Sequence, residues 1–176
     1  AFERRDLSAT AAAADRLIAV ADPDDVTTIQ GYVQTQVTAN PAKAVEAWNR
    51  LSERKLIPYP PLKQGEEAVT NPNFAHKSSL YGLDWRLHSS EAVRFAEVPD
   101  QKRLRIAFSG RQPEAVVPLA QYLPLVPNTA YTLRVRYRTP GLFSAPNGLR
   151  FRLIPVPPPA TGTAPRTITA GEHALA

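Results

Sequence analysis

The sequence predicts a mainly β protein in which an N-terminal helical segment precedes an antiparallel β-sandwich. Three observations support this fold class. Apolar residues recur at helical spacing in the first third of the chain, and from residue 71 they alternate with polar residues instead. Proline is also frequent, with 18 residues against 8 glycines, which is typical of many strand ends and rigid turns. We expect a helical segment over 1–57, a Pro-rich linker over 58–70 and a sandwich over 71–176.

Two to three short amphipathic helices are predicted in the first segment. The first covers about 8–21. The second begins after Asp22 and the third after Asn40, because each of these capping residues is followed by a proline at the first helical position. The apolar stripes are Val26, Ile29, Val33 and Val37 in the second helix, and Ala44, Val45, Trp48 and Leu51 in the third. Helices this short do not bury their apolar faces alone, so we expect a neighbouring domain, further repeats or a partner to cover them.

Alternating strands are predicted in the second part. The pattern is clearest at 103–108, 131–138 and 149–154, and turn residues separate the stretches. Weaker candidates are 79–87, 92–97, 115–124 and 167–170. Strands at such intervals without helices between them are typical of an antiparallel sandwich or barrel.

Two stretches of sequence resemble known families. The run AVEAWNRLSERKLIPYP at 44–60 resembles the final repeat of a tetratricopeptide protein. The runs NPNFAHKSSLYGLDWRL, LRIAFSGRQ, QYLPLVPNTAYTLRVRYRT and GLRFRL are, in this order, similar to a carbohydrate-binding-module-like (galactose-binding-like) domain. Together they resemble the C-terminal part of bacterial tetratricopeptide-repeat proteins associated with exopolysaccharide and envelope systems. The resemblance implies a jelly-roll β-sandwich and a periplasmic or cell-envelope location.

The chain departs from that family at two points. Many of these modules carry an acidic calcium ligand where this sequence has Ala75, so we expect no metal. The family's last strands have no counterpart before Ala176, and we therefore expect a sandwich that lacks them.

The residues that carry catalysis are sparse. There is no cysteine, which excludes thiolate chemistry, and the three histidines, His76, His88 and His173, form no metal-binding pair. The sequence has no phosphate-binding glycine loop and no nucleophile elbow. We predict that the chain is not an enzyme and has no catalytic residue, cofactor or metal.

Arginine is the unusual feature of the second part. Residues 1–70 hold 8 Lys/Arg and 10 Asp/Glu, whereas residues 71–176 hold 13 and 6. Alternation places Arg134, Arg136 and Arg138 on one side of a predicted strand, and Arg150 and Arg152 on one side of the next. We predict that these five bind a ligand or partner, with Arg103 and Arg105 as additions. The alternative is a solvated outer face.

The expected partner is anionic, because arginine binds oxyanions through paired hydrogen bonds. An anionic glycan and an acidic protein surface both fit. Nucleic acid is not expected, since no aromatic side chains are interleaved with the arginines for base stacking. No apolar run reaches the roughly 20 residues of a transmembrane helix, and we predict no such segment.

The function predicted from these features is a non-catalytic binding or scaffolding module of the bacterial cell envelope. The alternative is an accessory structural subunit of a larger, membrane-associated assembly, in which helices and sandwich make protein–protein contacts.

Overall fold

The computed structural model describes residues 7–63, 65–113, 116–126, 128–138, 150–156 and 166–169. The chain divides into two compact units, Ala1–Pro127 and Asn128–Ala176. Unit 1 holds the helices and two small sheets, and unit 2 holds one further pair of strands.

Three helices form where the sequence predicts them. They are α1 (Leu7–Val20), α2 (Val26–Ala39) and α3 (Pro41–Glu53). A 3-10 turn, Pro23–Asp25, leads into α2, and the Asp22 side chain accepts a hydrogen bond of 2.9 Å from the Asp24 backbone N–H. At the start of α3 the Asn40 side chain accepts from Lys43 N–H at 3.3 Å. Both prolines sit in the first turn, where their missing N–H leaves no hydrogen bond unmade.

The core of unit 1 is centred on Trp48, whose side chain is completely buried. Its other buried apolar members come from all three helices and from the chain that follows them. They are Ile18, Ala21, Ile29, Val33, Val37, Ala44, Ala47, Leu51, Ile57, Tyr59, Leu62 and Leu83. The helices therefore cover part of their apolar faces with later parts of the same unit.

The segment after α3 is bound to that helix by side-chain hydrogen bonds. Asn49 donates to the Leu62 carbonyl at 2.8 Å and accepts from Leu62 N–H at 2.7 Å. Ser52 donates to the carbonyl of Tyr59. These bonds fix a proline-rich stretch that has few backbone donors of its own. The first residues of the predicted 58–70 linker thus pack on the core.

The strands form three separate two-stranded antiparallel sheets among the described residues. In unit 1, β1 (Arg86–Leu87) pairs with β4 (Leu119–Ala120), and β2 (Val93–Val98) pairs with β3 (Arg103–Phe108). In unit 2, β5 (Arg150–Leu153) pairs with β6 (Arg166–Thr169).

The predicted jelly-roll sandwich is wrong. The strands that the structure describes do not join into two facing sheets, and residues 131–138 form no strand. Their apolar side chains stay exposed, with 40% of Tyr131, 48% of Leu133 and 44% of Val135 accessible to solvent. Alternation favours an extended backbone with one apolar face, but it does not supply the second sheet that would bury that face.

Candidate functional site

The longest paired strands among the described residues form the hairpin of β2 and β3. Its two six-residue strands are joined by a 3-10 turn, Pro99–Gln101. The register pairs Val93 with Phe108 at the open end and Val98 with Arg103 at the turn. Side chains alternate between two faces along each strand, and this register decides which of them share a face.

The inner face of the hairpin is apolar apart from one carboxylate. Its three cross-strand pairs are Val93 with Phe108, Phe95 with Ile106 and Glu97 with Leu104. Val93 is fully buried and the others are half-buried. The Glu97 carboxylate accepts a hydrogen bond of 2.7 Å from the Ser78 backbone N–H, so it ties the hairpin to the loop at residue 78.

The outer face carries three exposed arginines, which we call the arginine row: Arg94, Arg103 and Arg105. Each has a small side chain opposite it, because the cross-strand partners are Ala107, Val98 and Ala96 respectively. None of the three arginines forms an ion pair with any residue that the structure describes. The row is therefore a patch of three exposed guanidinium groups that no described carboxylate pairs with.

The five arginines predicted from the sequence lie in unit 2. Arg134, Arg136 and Arg138 are exposed on a stretch that belongs to no strand, and Arg150 and Arg152 lie on β5. The partner of β5 is β6 rather than the stretch 131–138, so the predicted hairpin between the two arginine groups does not form among the described residues. Binding by these five residues stays a prediction.

A buried carboxylate, Asp84, organises the loops of unit 1. Its Oδ2 accepts from the Tyr59 hydroxyl and from Ser79 N–H, both at 2.7 Å, and its Oδ1 accepts from Trp85 N–H at 2.8 Å. Burial raises the pKa of Tyr59, and the bond to Asp84 adds to that rise. A carboxylate held by three donors in the interior stabilises the loop that carries it.

The cation Arg86, two residues after Asp84, is the first residue of β1 and is half-buried. Its Nη2 donates to the Gly82 carbonyl at 2.8 Å, and its guanidinium lies 4.2 Å from the centre of the Tyr122 ring. Loss of solvent lowers the pKa of Arg86. These contacts give Arg86 a structural role, unlike the solvent-exposed arginine row.

A shallow apolar groove lies between α1 and α2, with a volume of about 230 Å³. It is lined by Ala13, Ala14, Leu17, Thr28, Ile29 and Tyr32. It offers van der Waals surface and almost no hydrogen-bonding groups, so its natural contact is another apolar surface.

Neither a metal-binding cluster nor a membrane-spanning helix occurs among the described residues. They contain no group of three or more His, Asp or Glu side chains placed to hold a metal ion. No helix among them combines the length and apolarity required to cross a bilayer.

The comparisons with known proteins found no match, whether to a protein-family model, to a curated protein sequence or to a solved structure.

Sequence reasoning named two members of the arginine row and missed the third. Arg103 and Arg105 were additions to the predicted set, whereas Arg94 stands alone among apolar and acidic neighbours. The sequence did contain a signal for Arg94, namely the turn residues Pro99-Asp100 between the alternating stretches 92–97 and 103–108. A hairpin that turns there in the observed register places Arg94 on the same face as Arg105.

Proposed function

We propose that this chain is a non-catalytic binding module that recognises an anionic partner through exposed arginines. One observation carries the proposal: in unit 1 three arginines share the outer face of the hairpin without an ion pair among the described residues. The arginines of unit 2 at 134, 136, 138 and 152 are exposed as well.

Energetics favour a partner for such residues. The three arginines lie at diagonal or alternate positions of one sheet face, where like charges repel one another. The ion pairs of unit 1 that the structure describes involve other residues, namely Lys43 with Glu46, Arg50 with Asp15 and Lys63 with Glu66. An external oxyanion would neutralise the arginines with paired hydrogen bonds, which arginine makes better than lysine.

The proposed setting is the bacterial cell envelope. The support for it is the resemblance of the sequence to bacterial tetratricopeptide-repeat proteins associated with exopolysaccharide and envelope systems. Such a setting would offer acidic polymers to a cationic surface. The role there is recognition or scaffolding without bond making or breaking.

Binding to immobilised polymers tests the proposal. The full chain is assayed against sulfated, uronate-containing and neutral polysaccharides, polyphosphate and acidic peptides at low and high salt. We expect salt-sensitive binding to at least one anionic class. We also expect that binding to be lost when Arg94, Arg103, Arg105, Arg134 and Arg150 are all replaced by alanine. Absence of binding to every anionic probe, or binding that survives the combined substitution, contradicts the proposal.

The second candidate function is an accessory subunit of a larger assembly. The apolar groove between α1 and α2 favours it, because helix faces of this kind are covered by other helices in assembled proteins. Analytical ultracentrifugation tests this candidate by measuring the association state of the full chain and, separately, of its Leu17→Glu variant. Self-association that the substitution abolishes supports it, and a monomer at micromolar concentration for both proteins counts against it.

A further inference from the structure

We infer that the arginine row on the outer face of the β2–β3 hairpin is a binding site for a linear anionic polysaccharide that lies along the strands. The inference rests on the proposed function, and it specifies both the residues and the class of ligand.

The row is evenly spaced along the hairpin. Arg94 pairs with Ala107, and Arg105 and Arg103 follow on β3 at two and four residues from that pair. Because a strand advances about 3.4 Å per residue, neighbouring arginines are separated by roughly 6.8 Å along the strand axis, and the row spans roughly 14 Å. A single small anion meets one or two such groups, whereas an extended polymer with repeated charges meets all three.

Small side chains lie beside the arginines of the row. The residues opposite the arginines are two alanines and one valine, and no bulky side chain on this face separates one guanidinium from the next. A ribbon of this kind admits a chain lying on it rather than a compact ligand enclosed in a pocket. Guanidinium planes can also stack on sugar rings between their contacts with oxyanions.

The composition of the same face argues against nucleic acid. Single-stranded nucleic acids are held by aromatic side chains on which bases stack. The aromatic residues of the hairpin, Phe95 and Phe108, pair with residues of the opposite, inner face. The outer face supplies charge without stacking rings, which suits a polymer whose recognition depends on carboxylate or sulfate groups.

The test measures affinity against oligosaccharide length for the full chain. Uronate oligomers and sulfated oligomers of one to eight sugars are titrated calorimetrically, with neutral oligomers of equal length for comparison. We expect affinity to rise with length until the oligomer spans the row, and then to level off. Each single variant, Arg94→Ala, Arg103→Ala or Arg105→Ala, should weaken binding by about threefold to tenfold, and the triple variant by about thirtyfold or more.

Three exposed cations outside the hairpin provide a matched control. The triple variant R16A/K77A/R111A removes the same charge, and we expect it to change the affinity by less than about twofold. The unit 2 variant R134A/R136A/R138A should weaken binding less than the hairpin variant does. Thermal unfolding of the triple variants shows whether they keep the native fold. The variants Arg103→Lys and Arg105→Lys, which keep charge but lose paired hydrogen bonds, should bind with intermediate affinity.

Several outcomes would overturn the inference while leaving the proposed function in place. One is loss of binding in the unit 2 variant but not in the hairpin variant. Others are equal affinity for a monosaccharide and an octamer, and tighter binding of an acidic peptide or of oligo-dT than of any oligosaccharide. Absence of binding to all anionic probes would instead remove both the inference and the proposed function.

Discussion

The hydroxyl of Tyr59 donates a hydrogen bond of 2.7 Å to Oδ2 of Asp84, across 25 residues of sequence. Tyr59 follows α3 and stacks on Trp48 at a ring-centroid distance of 5.9 Å, whereas Asp84 lies just before β1. The bond therefore joins the helical part of unit 1 to the loops that lead into its strands. Because both residues are buried, solvent cannot replace it without local opening.

Replacing Asp84 with alanine should strongly destabilise unit 1. The substitution leaves the Tyr59 hydroxyl and the backbone N–H groups of Ser79 and Trp85 without their acceptor. We expect the free energy of unfolding to fall by about 3–5 kcal/mol, measured by denaturant titration. Asp100→Ala removes an exposed carboxylate in the hairpin turn and should cost under about 0.5 kcal/mol. Equal effects of the two substitutions would show that the Asp84 bonds are not a major source of stability.

The raised pKa of Tyr59 predicts a loss of stability at alkaline pH. The pKa is higher in the folded than in the unfolded chain, so folding favours the protonated phenol. Its contribution is fully present below the unfolded value near 10 and is lost as the pH rises above it. Unfolding of the wild type and of Tyr59→Phe should be compared at pH 8 and pH 11. The variant should lose less stability over that interval, and identical pH dependence would contradict the assignment.

The close approach of Gly82 to Trp48 predicts that alanine is poorly tolerated there. Gly82 has a positive φ of 61°, and a Cβ atom on it would lie 2.4 Å from the indole ring. Gly110 also has a positive φ, of 81°, but has open space around it. Gly110→Ala should cost about 1–2 kcal/mol through backbone strain alone. Gly82→Ala should cost about 1–3 kcal/mol more, because the fully buried Trp48 has to move. Equal melting temperatures of the two variants would contradict this prediction, because they would show that the Trp48 ring moves at little energetic cost.

Arg54 should hold the C-terminal end of α1 in place. Its guanidinium donates to the Ile18 carbonyl and, at 2.7 Å, to the Ala21 carbonyl. Cations and donors at this end satisfy free carbonyls and interact favourably with the helix dipole. We expect Arg54→Ala to cost about 1–2 kcal/mol and to speed amide hydrogen exchange in α1 more than in α3. Arg16→Ala, which removes an exposed arginine on α1 itself, is the control and should leave exchange in α1 unchanged.

Replacing a member of the arginine row should raise the stability of the protein and weaken its binding to anions. Arg105→Thr relieves repulsion on the outer face and introduces a residue that favours strands. We expect the free energy of unfolding to rise by about 0.2–1 kcal/mol, while affinity for anionic oligosaccharides falls. Chemical denaturation and calorimetric titration of the same sample measure the two quantities. A variant that is both less stable and weaker in binding would indicate that Arg105 is a structural residue.

Local sequence determined the helices and the hairpin of unit 1. Asp22 and Asn40 cap the next turn through bonds that span two or three residues, so the caps and the prolines beside them were sufficient to place α2 and α3. Alternation at 103–108 likewise predicted β3, and the turn residues Pro99-Asp100 lie where the chain passes from β2 to β3. These signals are physically short-ranged, and their physical basis is visible in the sequence itself.

Tertiary structure decided everything that depends on distant partners. Nothing near Asp84 in sequence indicates that it accepts from Tyr59, and nothing near Gly82 indicates that Trp48 lies against it. The sandwich failed for the same reason, because alternation records which residues of a strand share a face and not which second sheet covers it. Likewise, arginines at alternate positions mark a candidate surface, but only the register of β2 against β3 brings Arg94 beside Arg105.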